Sequence, residues 1–88
     1  MDYYPVIRES IAAELAIPPD TIRPDTLLFE DLEADSLDFL NIVFRIEQKT
    51  ATKIPVTEWL NERNERPDAF VRFSIRDLCD RLERLSPA

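Results

Sequence analysis

Ser36 is the hydroxyl whose surroundings point to chemistry. It lies inside the stretch Phe29–Leu40, among Glu30, Asp31, Glu33, Asp35 and Asp38. Apolar residues follow it at helical spacing, so it reads as the opening residue of an amphipathic helix. A serine there is exposed and held on stiff backbone, close to first-turn N–H groups that lack intrahelical acceptors. The chain contains no histidine, so no Ser-His pair can make this hydroxyl a nucleophile. The position suits a covalently attached anionic arm instead, because a helix N-terminus favours phosphate. The plainer alternative is that Ser36 only helps to cap its helix.

Composition sets the frame around that residue. The chain has 88 residues, enough for one domain with one modest core, expected to span 1–88. Glycine is absent and seven prolines are present. That argues against tight hairpin turns and phosphate-cradling glycine loops, and for helices joined by proline-punctuated loops. The net charge is -7, and it is uneven: residues 1–50 carry 11 acids against 4 bases, whereas residues 51–88 carry seven of each. The acidic half contains Ser36. Such a surface repels nucleic acid and anionic lipid and steers in proteins with basic faces. One cysteine allows no intramolecular disulfide, and with no histidine it argues against zinc. The start, Met1-Asp2-Tyr3-Tyr4-Pro5, has no secretory pattern, and the apolar stretch Leu37–Ile46 is too short to span a bilayer. A cytoplasmic protein without stable membrane insertion is expected.

The pattern predicts an all-α fold: four helices, a long loop between the first two, and a short third helix. The first runs from about Pro5 to Ala16, with Ile7, Ile11 and Leu15 as its stripe and Pro18-Pro19 as its stop. The loop, about Asp20 to Ala34, is pinned by Leu27, Leu28, Phe29 and Leu32. The second helix runs from Ser36 to Lys49, with Asp35 as its N-cap. Its apolar face holds Leu37, Leu40, Val43 and Phe44, widened by Phe39, Ile42 and Ile46. Ile54-Pro55 breaks the chain; the third helix spans Val56 to Asn64, with Thr57 as its cap. Pro67-Asp68 marks another break. The last helix runs from a Ser74 cap to Leu85, with Ile75, Leu78, Cys79, Leu82 and Leu85 as its stripe.

Several other groups invite a functional reading. Asp31, Glu33, Asp38 and Glu47 form a candidate docking face beside Ser36; a solvated acidic surface is the bland alternative. Individually such exposed pairs contribute roughly 0–1 kcal/mol, so several together give fast, reversible, salt-sensitive association. Asp31, Glu33 and Asp35 alternate as in a calcium loop, but the sixth position is Ser36 rather than glycine and the twelfth is Ile42 rather than glutamate, so a high-affinity calcium site is rejected. Cys79 reads as a buried small apolar residue. Arg63, Arg66, Arg72, Arg76, Arg81 and Arg84 read as a solvated or internally paired basic face, with contact to the acidic half or an anionic acceptor lipid as the rarer role.

Asp35-Ser36-Leu37 within its acidic loop, Lys53-Ile54-Pro55 after the helix, and the helix order together resemble an acyl carrier protein. The resemblance implies a four-helix acyl-carrier-protein-like bundle with 4'-phosphopantetheine attached covalently to Ser36. It implies that a phosphopantetheinyl transferase supplies the arm from coenzyme A, and that Asp35 engages that enzyme and its metal. The protein would present a fatty acyl thioester to fatty acid synthesis enzymes and an acyltransferase, as a monomer without catalysis of its own. The core would part to admit the chain along Leu40, Val43, Phe44, Ile46, Ile54, Trp59, Phe70 and Leu78. A closer resemblance rests on Asp35 to Leu40, Ile42-Val43-Phe44, Lys53-Ile54-Pro55, Trp59, Glu62, Asn64 and Leu78-Cys79. It is to the carriers that deliver very-long-chain fatty acids to lipid A in alphaproteobacteria. Compared with ordinary fatty-acid carriers, Val56 to Phe73 is extended; it either serves a longer acyl chain or rebuilds the core at that end. Glu33 stands where many family members have glycine, which stiffens the loop and adds a charge. The rivals are a carrier for polyketide or peptide synthesis and an unmodified acidic helical adaptor.

Overall fold

The computed structural model describes residues 2–85; the expected domain bounds, 1 and 88, lie outside them. Five helices follow in order: α1 Tyr4–Leu15, α2 Ser36–Thr50, α3 Val56–Glu65, the single turn α4 Pro67–Phe70, and α5 Ile75–Leu85. A 3₁₀ turn, Pro19–Thr21, follows α1. The four longer helices are those that periodicity predicts, with ends displaced by at most one residue. The expected break at Pro67-Asp68 is instead a short helix, because proline is well placed to start one and Phe70 is buried to anchor it.

Helix α1 buries Ile7 and Ile11 and ends at Ala16, whose φ of 55° puts it in the left-handed region. Its outer face is tied to α2 by Glu14, which accepts from Asn41 Nδ2 at 3.2 Å and from Arg45 Nε at 3.0 Å. The long loop is fixed at both ends of its run. Tyr4 Oη donates to the Ile22 carbonyl at 2.8 Å. Leu28 N–H donates to the Phe73 carbonyl at 2.9 Å, and Ile75 N–H to the Thr26 carbonyl at 3.0 Å. These bonds make an isolated antiparallel bridge, Leu27 to Ser74, that the helical reading did not foresee. Ile22, Leu28 and Ala34 are buried beneath it.

The apolar face of α2 is turned from its expected direction. Phe39, Ile42, Val43 and Ile46 are fully buried and Leu40 is half-buried, but Leu37 is 63% exposed and Phe44 is 45% exposed. Phe39, Ile42, Val43 and Ile46 form their own i, i+3, i+4, i+7 stripe. Leu37 and Phe44, seven residues apart, share a different face and look outward. Phe44 is therefore not a core residue. The N-cap of α3 is Pro55, not Thr57, which is exposed within the helix. Helix α5 begins with the expected Ser74: its Oγ accepts from Asp77 N–H at 3.2 Å, and Asp77 Oδ2 accepts from Ser74 N–H at 3.0 Å. Ile75, Leu78 and Leu82 are buried, whereas Leu85 is exposed.

One end of the core is aromatic. Phe29, Phe39, Phe70 and Phe73 touch as a cluster, with ring centroids from 5.0 to 6.5 Å apart in tilted and edge-on arrangements. Phe70, Phe73 and Trp59, all from the extended segment, are buried. Their rings fill this end of the core.

Candidate functional site

Ser36 is the first residue of α2 and is half-buried. The turn beneath it is held by a reciprocal pair of aspartates. Asp35 Oδ1 accepts from Asp38 N–H at 2.8 Å, and Asp38 Oδ2 accepts from Asp35 N–H at 3.2 Å. The Asp35 carbonyl takes the Phe39 N–H at 2.9 Å. This is a capping box in which aspartate occupies both places, so two negative charges face the positive end of the helix dipole. Asp35 is thus the N-cap the sequence predicts.

The residue that meets Ser36 is Arg63. Its Nη1 donates to Ser36 Oγ at 2.7 Å. The same guanidinium lies over the Phe29 ring, 4.2 Å from its centroid. A planar cation stacked on an aromatic face loses little further freedom when it makes a hydrogen bond. Arg63 forms no ion pair among the described residues. Next to it opens a cleft of about 400 Å³ lined by Phe29, Glu30, Arg63, Pro67, Phe70 and Val71. The sequence pattern places Arg63 on a solvated or internally paired basic face. Nothing local couples positions 27 apart; the contact exists because the chain reverses after α2 and brings the end of α3 beside the start of α2.

Of the four acids expected to dock partners, Asp31, Asp38 and Glu47 already bond within the molecule. Asp31 Oδ2 accepts from Leu27 N–H at 2.9 Å. Asp38 belongs to the capping box. Glu47 is half-buried, and its Oε2 accepts from Ile54 N–H at 2.8 Å, fastening the chain after α2. Glu33 is exposed, with φ of 56° in the left-handed region. Each carboxylate has further lone pairs for a partner, so internal bonding and docking are compatible; Glu47, however, faces the chain it holds.

Of the residues expected along an acyl chain, Val43, Ile46, Ile54, Trp59, Phe70 and Leu78 are buried together, Leu40 is half-buried and Phe44 stands apart in solvent. Among the arginines, Arg66, Arg72, Arg76 and Arg84 are exposed. Arg81 is internally paired with Glu62. That bond holds the Glu62 carboxyl below its ordinary range, against the opposing pull of desolvation. Burial pushes the Cys79 thiol up to about 11, helped by Asp2, Glu83 and Asp80, which leaves it protonated near neutral pH. No helix among the described residues is long and apolar enough to cross a membrane.

Comparison with known proteins covers most of the chain. The family model described as the phosphopantetheine attachment site matches residues 5–73. An acyl carrier protein AcpXL of Rhizobium meliloti is 36% identical over 93% of this chain and 87% of its own length. An AcpXL of Brucella melitensis is 37% identical over 93% of this chain and 89% of its own. An acyl carrier protein of Campylobacter hominis is 30% identical over 98% of this chain and 96% of its own.

Proposed function

Because the chain belongs to the acyl carrier proteins with a phosphopantetheine attachment site, we propose that Ser36 is the residue that bears the arm. The observation that carries this reading is the state of its hydroxyl. Ser36 Oγ opens α2 on a doubly capped turn, and a guanidinium meets it at 2.7 Å. No histidine is present to draw off its proton, so the base comes from the loading enzyme. The residues fit a phosphodiester: Ser36 opens the positive end of α2, and Arg63 Nη1 donates to the oxygen that would carry it. The 4'-phosphopantetheine group supplies a thiol on which an acyl chain rides as a thioester. The protein's own residues supply placement. Asp35 and Asp38 fix the turn that holds Ser36, and Asp35 offers its carboxylate to the transferase and its metal. Asp31, Glu33, Asp38 and, less directly, Glu47 present negative charge to basic faces of fatty acid synthesis enzymes and an acyltransferase. The reading is of one carrier domain that works as a cytoplasmic monomer with no catalysis of its own.

The cargo proposed is a very long fatty acyl chain destined for lipid A. Two features support it: the likeness to AcpXL carriers over most of the chain, and the aromatic segment between α3 and α5. A polyketide or peptide carrier and an unmodified adaptor are the rivals. Intact mass decides. After co-expression with a phosphopantetheinyl transferase, the protein should gain the mass of one arm, and Ser36→Ala should gain none. An unchanged wild-type mass, with partner binding that survives Ser36→Ala, would favour the adaptor.

A further inference from the structure

We propose that Arg63 is an anchor for the phosphodiester at the root of the arm; the idea rests on Ser36 being the loaded residue. Three observations meet at this guanidinium. It already contacts the atom that becomes the ester oxygen, at 2.7 Å. It is braced from below by the Phe29 ring, 4.2 Å away. It forms no ion pair among the described residues, although Glu30, Asp31, Glu33, Asp35 and Asp38 crowd this part of the chain.

The change on loading is defined by chemistry. Ser36 Oγ attacks the pantetheine-side phosphorus of coenzyme A. The Ser36 O–H bond breaks and its proton passes to the base of the loading enzyme. An O–P bond forms, and the diphosphate P–O bond breaks to release adenosine 3',5'-bisphosphate. The two unesterified oxygens on that phosphorus share one negative charge. They lie two bonds beyond the atom Arg63 already touches. Arginine carries five N–H donors in a flat fork that matches such oxygens. A neutral hydroxyl acceptor is thereby replaced by an ionised one, and such bonds are roughly twice as strong. The acidic setting adds a reason for the contact. A phosphate introduced among five carboxylates raises local repulsion, and one braced cation offsets it. Arg63 also lines the cleft of about 400 Å³ with Phe29, Glu30, Pro67, Phe70 and Val71. A phosphate held by Arg63 is therefore tethered beside the α3–α4 end of the molecule, not on the outward face that carries Leu37 and Phe44. Arg63 acts as a positioning residue: it sets where the arm starts and leaves the chemistry to partner enzymes.

Nuclear magnetic resonance of the full chain tests this directly. The wild-type protein is labelled with ¹⁵N-arginine and compared before and after loading, with intact mass confirming one arm. Arg63→Lys identifies the Arg63 Nε signal by its loss. Loading is expected to shift that Nε–H resonance, and Arg63→Gln is expected to move the ³¹P resonance of the arm toward its position in denatured loaded protein. An Arg63 signal indifferent to loading overturns the proposal, whether or not the glutamine variant folds. A wild-type chain that gains no mass overturns instead the assignment of Ser36, which keeps the two failures apart.

Discussion

Arg81 grips Glu62 through two parallel hydrogen bonds, Nη1 to Oε2 at 2.8 Å and Nη2 to Oε1 at 3.1 Å. The same guanidinium lies 5.4 Å from the Trp59 ring centroid, 5.2 Å from that of Phe70 and 5.4 Å from that of Phe73. One side chain of α5 thus joins α3, α4 and the segment between α4 and α5. Lysine keeps the charge but has neither the fork nor the flat face, so Arg81→Lys should destabilise by about 1–2 kcal/mol. Urea unfolding followed by Trp59 fluorescence measures it. The pairing also fixes a pH dependence. The Arg81 hydrogen bond lowers the Glu62 pKa in the fold below its ordinary 4.5, so the folded state favours the ionised carboxylate. The stabilisation is complete above the unfolded value and is lost as pH falls through the lowered folded value. Glu62→Gln should therefore be less stable than wild type at pH 7, with the gap closing as the solution is acidified below 4.5. A gap that widens on acidification would refute the assignment.

Glu47 gives a prediction that separates structure from docking. Its carboxylate takes the Ile54 N–H at 2.8 Å, and Ile54 is itself buried. Removing the acceptor by Glu47→Ala leaves that donor unpaired and should cost about 1–3 kcal/mol. Glu47→Gln keeps a carbonyl acceptor and should recover most of the loss while deleting the charge. If the side chain serves mainly to hold the chain after α2, the glutamine variant should bind a basic partner enzyme almost as wild type does. A large drop in affinity at unchanged stability would restore the docking role.

Among the described residues, three occupy the left-handed region without being glycine: Ala16 at φ 55°, Glu33 at φ 56° and Ala51 at φ 56°. A side chain there costs roughly 1–2 kcal/mol, and glycine relieves it at an entropic cost of about 0.5–1 kcal/mol. Glu33→Gly should then raise stability by up to about 1 kcal/mol. Glu33→Ala removes the charge but retains a Cβ and should not reproduce the gain. Equal gains from both would trace the effect to relieved charge repulsion. Ala51→Gly, at the end of α2, offers a second reading of the backbone effect away from the acidic loop.

These relationships divide by range in a way that explains what the chain disclosed in advance. Helices α1, α2, α3 and α5, and the Asp35 and Ser74 caps, depend on neighbours within four residues, so periodicity and capping chemistry reveal them. The same holds for Ser36 as the opening residue of α2. The rotation of α2 about its axis depends on what packs against it, so periodicity puts Phe44 in the core although it lies outside it. Contacts such as Ser36 with Arg63, or Leu27 with Ser74, join distant segments through the path of loops, and no local pattern encodes them. The left-handed backbone at Glu33 was hidden for a different reason: the usual glycine marker is missing.

The extended segment, residues 56–73, poses the last test. Trp59, Phe70 and Phe73 are buried and fill one end of the core, and Phe70 also lines the open cleft with Phe29. An acyl chain that entered here would displace ring contacts, and each methylene removed from water would return about 0.8 kcal/mol. A cargo role therefore predicts that the loaded protein gains stability with acyl-chain length. Truncation to alanine at either ring would cost about 3–5 kcal/mol and confuse the result. Trp59→Leu with Phe70→Leu keeps the site apolar while changing its shape. In this double variant the dependence of unfolding midpoint on chain length should flatten, although the unloaded form still folds. If wild type shows no such dependence, or the variant retains it in full, the aromatic residues serve the core alone and the chain is housed elsewhere.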